Sequence, residues 1–162
     1  MIDHSIYSTF VLFITDSFVG GGITEGYGIQ ETAIKEAGEE ANVPESLATT
    51  MTPAGTVSFL FYNERGVQSN TEYVFDLELP ESFKPSNNDG EVGSWVLVPV
   101  KDIPDLICQD NFKTTSAGIA LDWLIRRGHV TSDNEPRYSE IVELLHLPLH
   151  LLYQSYQQRN LQ

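Results

Sequence analysis

Apolar and polar positions along this chain follow two different periods. Residues 5–14 (IYSTFVLFIT) are dense in aromatic and β-branched side chains and predict a strand. Gly20, Gly21, Gly22, Gly26 and Gly28 then crowd into residues 16–28, which predicts a loop with unusual backbone angles. Over residues 29–41 (IQETAIKEAGEEA) the period becomes helical. Ala33, Ala37 and Ala41 recur at i, i+4 and i+8 beside Ile29 and Ile34, a small-residue stripe suited to close packing. Gly28 serves as N-cap, and Glu31 supplies half of a capping box. Asn42 suits a left-handed cap, and Pro44 is the expected stop.

Further along, residues 54–62 (AGTVSFLFY) and 71–79 (TEYVFDLEL) predict two strands, and Asn63, Gly66 and Asn70 between them favour a hairpin. A polar loop from Pro80 to Gly90 leads into a strand over residues 91–100, closed by Pro99. Residues 115–127 predict a helix with Ile119, Leu121, Leu124 and Ile125 on its apolar side and Gly128 as its C-cap. A third helix over residues 137–147 carries Ile141, Leu144 and Leu145 and ends at Pro148. Residues 149–162, rich in glutamine, are expected to form a loosely ordered tail. With no repeat or linker, the expectation is one α/β domain over residues 1–162.

Composition narrows the function classes. A chain of 162 residues can bury a real core. No apolar run approaches the roughly 18–20 residues that span a bilayer. Phe10–Ile14 is too short for a signal sequence and follows Asp3 and His4 rather than basic residues. The lone Cys108 excludes an internal disulfide and a cysteine zinc site, and is expected to be a small buried hydrophobe. It suits a reducing compartment, and the expected location is the cytoplasm. The net charge is -14, from 9 basic and 23 acidic residues, which argues against nucleic acid and anionic membrane as partners. A phosphorylated substrate would be repelled too, so a protein of this charge that handles phosphates needs a cation between them.

Candidate chemistry lies in residues 20–43. On a helix, Glu36, Glu39 and Glu40 sit at i, i+3 and i+4, which puts three carboxylates on one face about 5–6 Å apart. Hard oxygen ligands so arranged suit Mg²⁺ or Mn²⁺ rather than zinc. Taken alone, the cluster is better read as a solvated face, because exposed like charges at this spacing cost only about 0.2–0.5 kcal/mol. The glycine loop just before it shifts that balance: a helix that starts after such a loop is a natural anion site.

This stretch resembles the Nudix box, in which a loop glycine and a glutamate precede Arg-Glu, then Glu-Glu, then Gly and an apolar residue at fixed spacing. Gly21 matches the first glycine, Glu36 the glutamate of Arg-Glu, Glu39 and Glu40 the Glu-Glu pair, and Val43 the final apolar position, so the box covers residues 21–43. Tyr27, Lys35 and Asn42 depart from the pattern, replacing Glu, Arg and Gly. The phrases KEAGEEANVP, TPAGTVSFLFY, YVFDLELP, DGEVGSWVLV and LDWLIRRGHV look like the Nudix branch associated with thiamine pyrophosphokinase in fungi and plants. The resemblance implies an α/β/α sandwich around a mixed sheet. The short lead-in to the box leaves room for a version lacking N-terminal strands. It implies a hydrolase with Mg²⁺ or Mn²⁺ on Glu36, Glu39 and Glu40, and catalytic roles for Glu39, Glu40 and Glu91. Gly21, Gly22 and Lys35 would lie against phosphate. The implied substrate is a small-molecule diphosphate: oxidised thiamine diphosphate, cleaved to the monophosphate, or alternatively 8-oxo-dGDP.

Phe59, Phe61, Tyr73 and Phe75, on the two hairpin strands, are candidates to stack on a substrate ring, although core packing accounts for each singly as well. A non-catalytic binding module of the same fold, or a truncated inactive product, are the competing readings. The intact glutamate triad opposes the first. Oligomeric state is not legible in the sequence.

Overall fold

The computed structural model of the protein describes residues 10–14, 18–23, 25–87 and 94–152. In chain order the elements are β1 (Phe10–Ile14), α1 (Ile29–Ala41), α2 (Glu45–Ala48), β2 (Thr52–Asn63), β3 (Gly66–Asp76), β4 (Trp95–Pro99), α3 (Ile103–Ile107), α4 (Thr114–Arg126) and α5 (Tyr138–Leu145). A single 3₁₀ turn, Val100–Asp102, leads from β4 into α3. Helices and antiparallel sheet together give the expected α/β class. The chain divides into two compact units, residues 1–53 with 75–120, and residues 54–74 with 121–162.

The first unit is organised by α1. The Gly28 N–H donates to Glu31 Oε2 at 2.7 Å, and the Thr32 hydroxyl donates to the Gly28 carbonyl at 3.0 Å, so both close the first turn. At the other end Asn42 takes φ 53, ψ 37, and the Val43 N–H reaches the Ala37 carbonyl at 3.0 Å. Asn42 Nδ2 also donates to Ser86 Oγ at 3.0 Å, which ties the cap to the loop after β3. An Asn42→Ala substitution forces a Cβ with no compensating side-chain bond into the left-handed region. It is expected to destabilise the protein by about 1 kcal/mol, with Asn42→Gly close to neutral. Urea unfolding of the two variants measures this.

The alanine stripe faces inward as its period requires. Ala37 and Ala41 are buried with Val43, Ala48 and Met51, and Ala33, Ile34, Phe75, Leu77 and Trp95 pack against them. Small side chains let the helix approach its neighbours closely, so the helix axis is set by backbone-to-core distance rather than by long flexible groups. Pro44, expected only as a stop, also starts α2: its carbonyl accepts from Leu47 and Ala48 at 2.8 and 2.9 Å. The indole Nε1–H of Trp95 is buried with no hydrogen-bond partner among the described residues. β1 pairs antiparallel with β4, from Phe10 opposite Pro99 to Ile14 opposite Trp95. Residues 5–9 of the expected first strand lie outside the described residues. After β4, α3 buries Ile103 at its start. Cys108, expected to be buried, is exposed, because it caps the far end of this five-residue helix beyond its buried turn.

The second unit holds most of the β2–β3 hairpin. The loop is tighter than the sequence suggests: only Glu64 and Arg65 separate the strands, and Gly66 at φ 99 makes that reversal possible. Residues 66–70 therefore extend β3, and Ser58 and Thr71 bring their hydroxyls to 3.1 Å across the pair. Val57 and Val74 are buried on the strands, and Leu124 and Leu145 on the helices. The His146 backbone forms a parallel bridge with Ser58, and Leu147 N–H donates to the Ser58 carbonyl at 3.1 Å.

In α4 the buried stripe is Ser116, Ala120 and Leu124, while Ile119, Leu121 and Ile125 are half-buried. Asp122 is buried as well and accepts from Arg126 Nε at 2.7 Å, so its charge is paired. Gly128, at φ 75, ends the helix as expected. The expected loose tail is described only as far as Leu152, and the Leu151 N–H there bonds the Pro148 carbonyl at 2.9 Å. Among the described residues no helix is long and apolar enough to cross a membrane.

Candidate active site

The three glutamates follow from where α1 buries its alanines. At about 100° per residue, Glu40, Glu36 and Glu39 fan out in that order from the inward stripe. Exposure grades the same way: Glu40 retains 8% as a residue, and the side chains of Glu36 and Glu39 retain 16% and 47%. The helix thus presents one anchored, one half-sheltered and one exposed carboxylate across little more than one turn.

The glycine loop closes on the sheltered pair. The Gly20 N–H donates to Glu40 Oε2 at 3.0 Å. A Cβ at Gly21 would meet Glu36 Oε2 at 2.9 Å and its Cδ and Oε1 nearer still, so a side chain there would displace the Glu36 carboxylate. At Gly22, by contrast, a Cβ would meet nothing within 4 Å. Gly20, Gly21 and Gly22 are all exposed. The backbone end of α1 is already served by a carboxylate, since Glu31 takes the Gly28 N–H.

Lys35 lies against the exposed side of the fan. Its Nζ donates to Glu39 Oε2 at 2.5 Å and sits 3.9 Å from Glu36 Oε1. The Glu39 hydrogen bond, with the charges of Glu39 and Glu36, raises the Lys35 pKa above its ordinary value against a smaller opposing effect of desolvation.

The structure therefore brings Glu36 and Glu40 under the glycine loop and pairs Glu39 with Lys35. Among the described residues no three His, Cys, Asp or Glu side chains are already gathered as a metal site. The donor set nonetheless suits a hard divalent cation. It consists of carboxylate oxygens alone, two of them at i, i+4 on the helix and the third, Glu39, three residues on from Glu36. Glu91 lies outside the described residues. Of the aromatic candidates, Phe75 packs against the α1 core, Phe59 and Phe61 sit with ring centroids 6.2 Å apart, and Tyr73 is exposed. Sequence reasoning missed Gly20 as the donor to Glu40. The residues stand twenty positions apart, and nothing local links them.

The description NUDIX domain matches residues 7–117, most of the chain and the whole of this loop and helix. The chain belongs to the Nudix family. Among curated proteins, the Nudix chain is 35% identical over 143 residues to an uncharacterized protein of Saccharomyces cerevisiae. It is 31% identical over 131 residues to the chloroplastic Nudix hydrolase 24 of Arabidopsis thaliana, and 32% over 120 residues to the chloroplastic Nudix hydrolase 20 of the same plant. These alignments take in 81%, 80% and 74% of this chain, but it spans only 42%, 36% and 32% of the three relatives. Nudix enzymes generally work with a divalent metal and on small-molecule substrates.

Proposed function

We propose that this Nudix domain is a pyrophosphohydrolase that cleaves a small-molecule diphosphate with Mg²⁺ or Mn²⁺ held by Glu36, Glu39 and Glu40. The observation that carries this reading is the loop–helix geometry inside the family match: Gly20 and Gly21 close on Glu40 and Glu36 while Glu39 remains at the surface. When bound, the cation would neutralise the diphosphate and make water a better nucleophile. The chain's own contribution is positional and protonic. Glu40 is fixed by the Gly20 N–H, and Gly21 leaves room for the Glu36 carboxylate. A carboxylate, Glu39, Glu40 or Glu91, takes the proton of the attacking water as a P–O bond forms and the bridging P–O bond breaks. At a net charge of -14, turnover without a divalent cation is not expected.

For the substrate we favour oxidised thiamine diphosphate, converted to the monophosphate with release of phosphate. The resemblance to the branch associated with thiamine pyrophosphokinase in fungi and plants supports this, and the relatives found come from a fungus and a plant. The ring-stacking candidates in that reading are Phe59, Phe61, Tyr73 and Phe75, of which Phe61 and Tyr73 are exposed and Phe75 packs against the α1 core.

The test is phosphate release from oxidised thiamine diphosphate and from 8-oxo-dGDP, with Mg²⁺ and with chelator. Release from the thiamine compound, abolished by chelator, is the expected result. A preference for 8-oxo-dGDP would overturn the substrate assignment alone. A protease-resistant chain that turns over neither would favour a binding module.

A further inference from the structure

Lys35 is the single basic residue on α1, whose other charged residues are Glu31, Glu36, Glu39 and Glu40. Its place in the chain gives no good reason to expect a helix-stabilising pair. Lysine before glutamate at i, i+4 is the weaker of the two orders. Glu36, Glu39 and Glu40 also crowd toward the helix C-terminus, where the backbone dipole disfavours negative charge. Yet the ammonium reaches past Glu36 to donate to Glu39, the most exposed of the three, and rests 3.9 Å from Glu36. A cation therefore already lies between two carboxylates assigned to the metal. The third, Glu40, accepts a hydrogen bond from the Gly20 N–H.

From this arrangement we propose that Lys35 is a built-in counter-ion for Glu39, a positioning residue that a divalent cation must displace. The inference rests on the assignment of Glu36, Glu39 and Glu40 as metal ligands. Its consequence has an unusual sign. An organising residue in the box would strengthen metal binding, and its loss would weaken it. Lys35 competes with the metal for the same oxygen, so its removal tightens binding. Lysine suits this exchange because its ammonium is a compact, hydrated point charge on a flexible stem. It can leave Glu39 without the bidentate geometry that an arginine would have to break. The exchange also holds the metal-free helix together, since the lysine offsets part of the repulsion among three neighbouring carboxylates.

The experiment is a double-mutant cycle on Mn²⁺ affinity, followed by electron paramagnetic resonance of the free ion and by calorimetry, on the full chain without substrate. Lys35→Gln is expected to lower the Mn²⁺ dissociation constant about two- to threefold, the scale set by breaking one exposed i,i+4 pair. Lys35→Arg, which keeps the charge, should not tighten binding. In a Glu39→Gln background Lys35→Gln should tighten binding much less, because only the longer 3.9 Å approach to Glu36 remains. Weaker or unchanged Mn²⁺ binding in Lys35→Gln overturns the proposal. So does equal tightening in the Glu39→Gln background, which would mark a general charge effect. Failure of the underlying metal assignment looks different: the wild type would then bind Mn²⁺ no better than a Glu39→Gln, Glu40→Gln double variant, and the counter-ion role would fall with it.

Discussion

Glu40→Gln yields a folded protein whose divalent-dependent turnover is lower by at least about a hundredfold, the usual scale for removing a carboxylate that acts on the proton or the metal. Folding should survive for a specific reason. Glu40 is buried to 8% exposure and accepts a hydrogen bond from Gly20 N–H. A glutamine amide has the same shape, and its oxygen can accept that same bond. What disappears is the negative charge and one strong oxygen ligand. Glu39→Gln alters an exposed side chain and should lose turnover with no more than the small change in melting temperature that one exposed ion pair carries. The measurement is steady-state turnover across a Mg²⁺ titration, paired with thermal unfolding of each variant. A wild-type rate from folded Glu40→Gln would remove Glu40 from the site.

Adding a single methyl group to the loop is the second large expected effect. A Cβ at Gly21 runs into the carboxylate of Glu36, so Gly21→Ala must push the loop or the glutamate aside. Displacing a group that supports a metal ligand typically lowers activity or metal affinity about 10- to 100-fold. Gly22→Ala, one residue on, meets nothing within 4 Å and should be close to wild type in rate. The two alanines are equally conservative in sequence and differ only in what the new methyl touches. Turnover and Mn²⁺ affinity of both, measured together, separate a loop that merely needs to be flexible from one shaped around Glu36. If Gly22→Ala proved as damaging as Gly21→Ala, the steric account would be wrong.

How legible the site was depends on the distance over which each interaction acts. The bounds of α1 coincide with the expected residues 29–41, since its caps and its alanine period are local signals. The glutamate face was readable for the same reason. The hairpin is legible in the sequence but its loop is shorter than Asn63 and Asn70 suggest: Glu64 and Arg65 make the turn, and Gly66 follows at φ 99. The short helices α2 and α3 escaped because five residues or fewer carry too little period to read. In α4 the inward stripe includes Ser116 and Ala120, small residues that hydrophobicity alone ranks below Ile119 and Leu121. The Gly20–Glu40 bond and the Lys35–Glu39 pairing mark the limits of sequence reading. The first joins residues far apart in the chain, and the second is one of several partners that Lys35 could choose.

Each of the two units carries its own tryptophan. Trp95 packs against the alanine-lined core behind α1, and Trp123 stacks on His129 with ring centroids 5.7 Å apart. These are the only two indoles in the chain. Replacing either with phenylalanine would leave a single intrinsic fluorophore confined to one unit. Emission from the Trp95-only protein then reports on the surroundings of the glutamate helix, and emission from the Trp123-only protein on the hairpin unit. The molecule thereby contains its own optical means of asking whether its halves melt in one step or two.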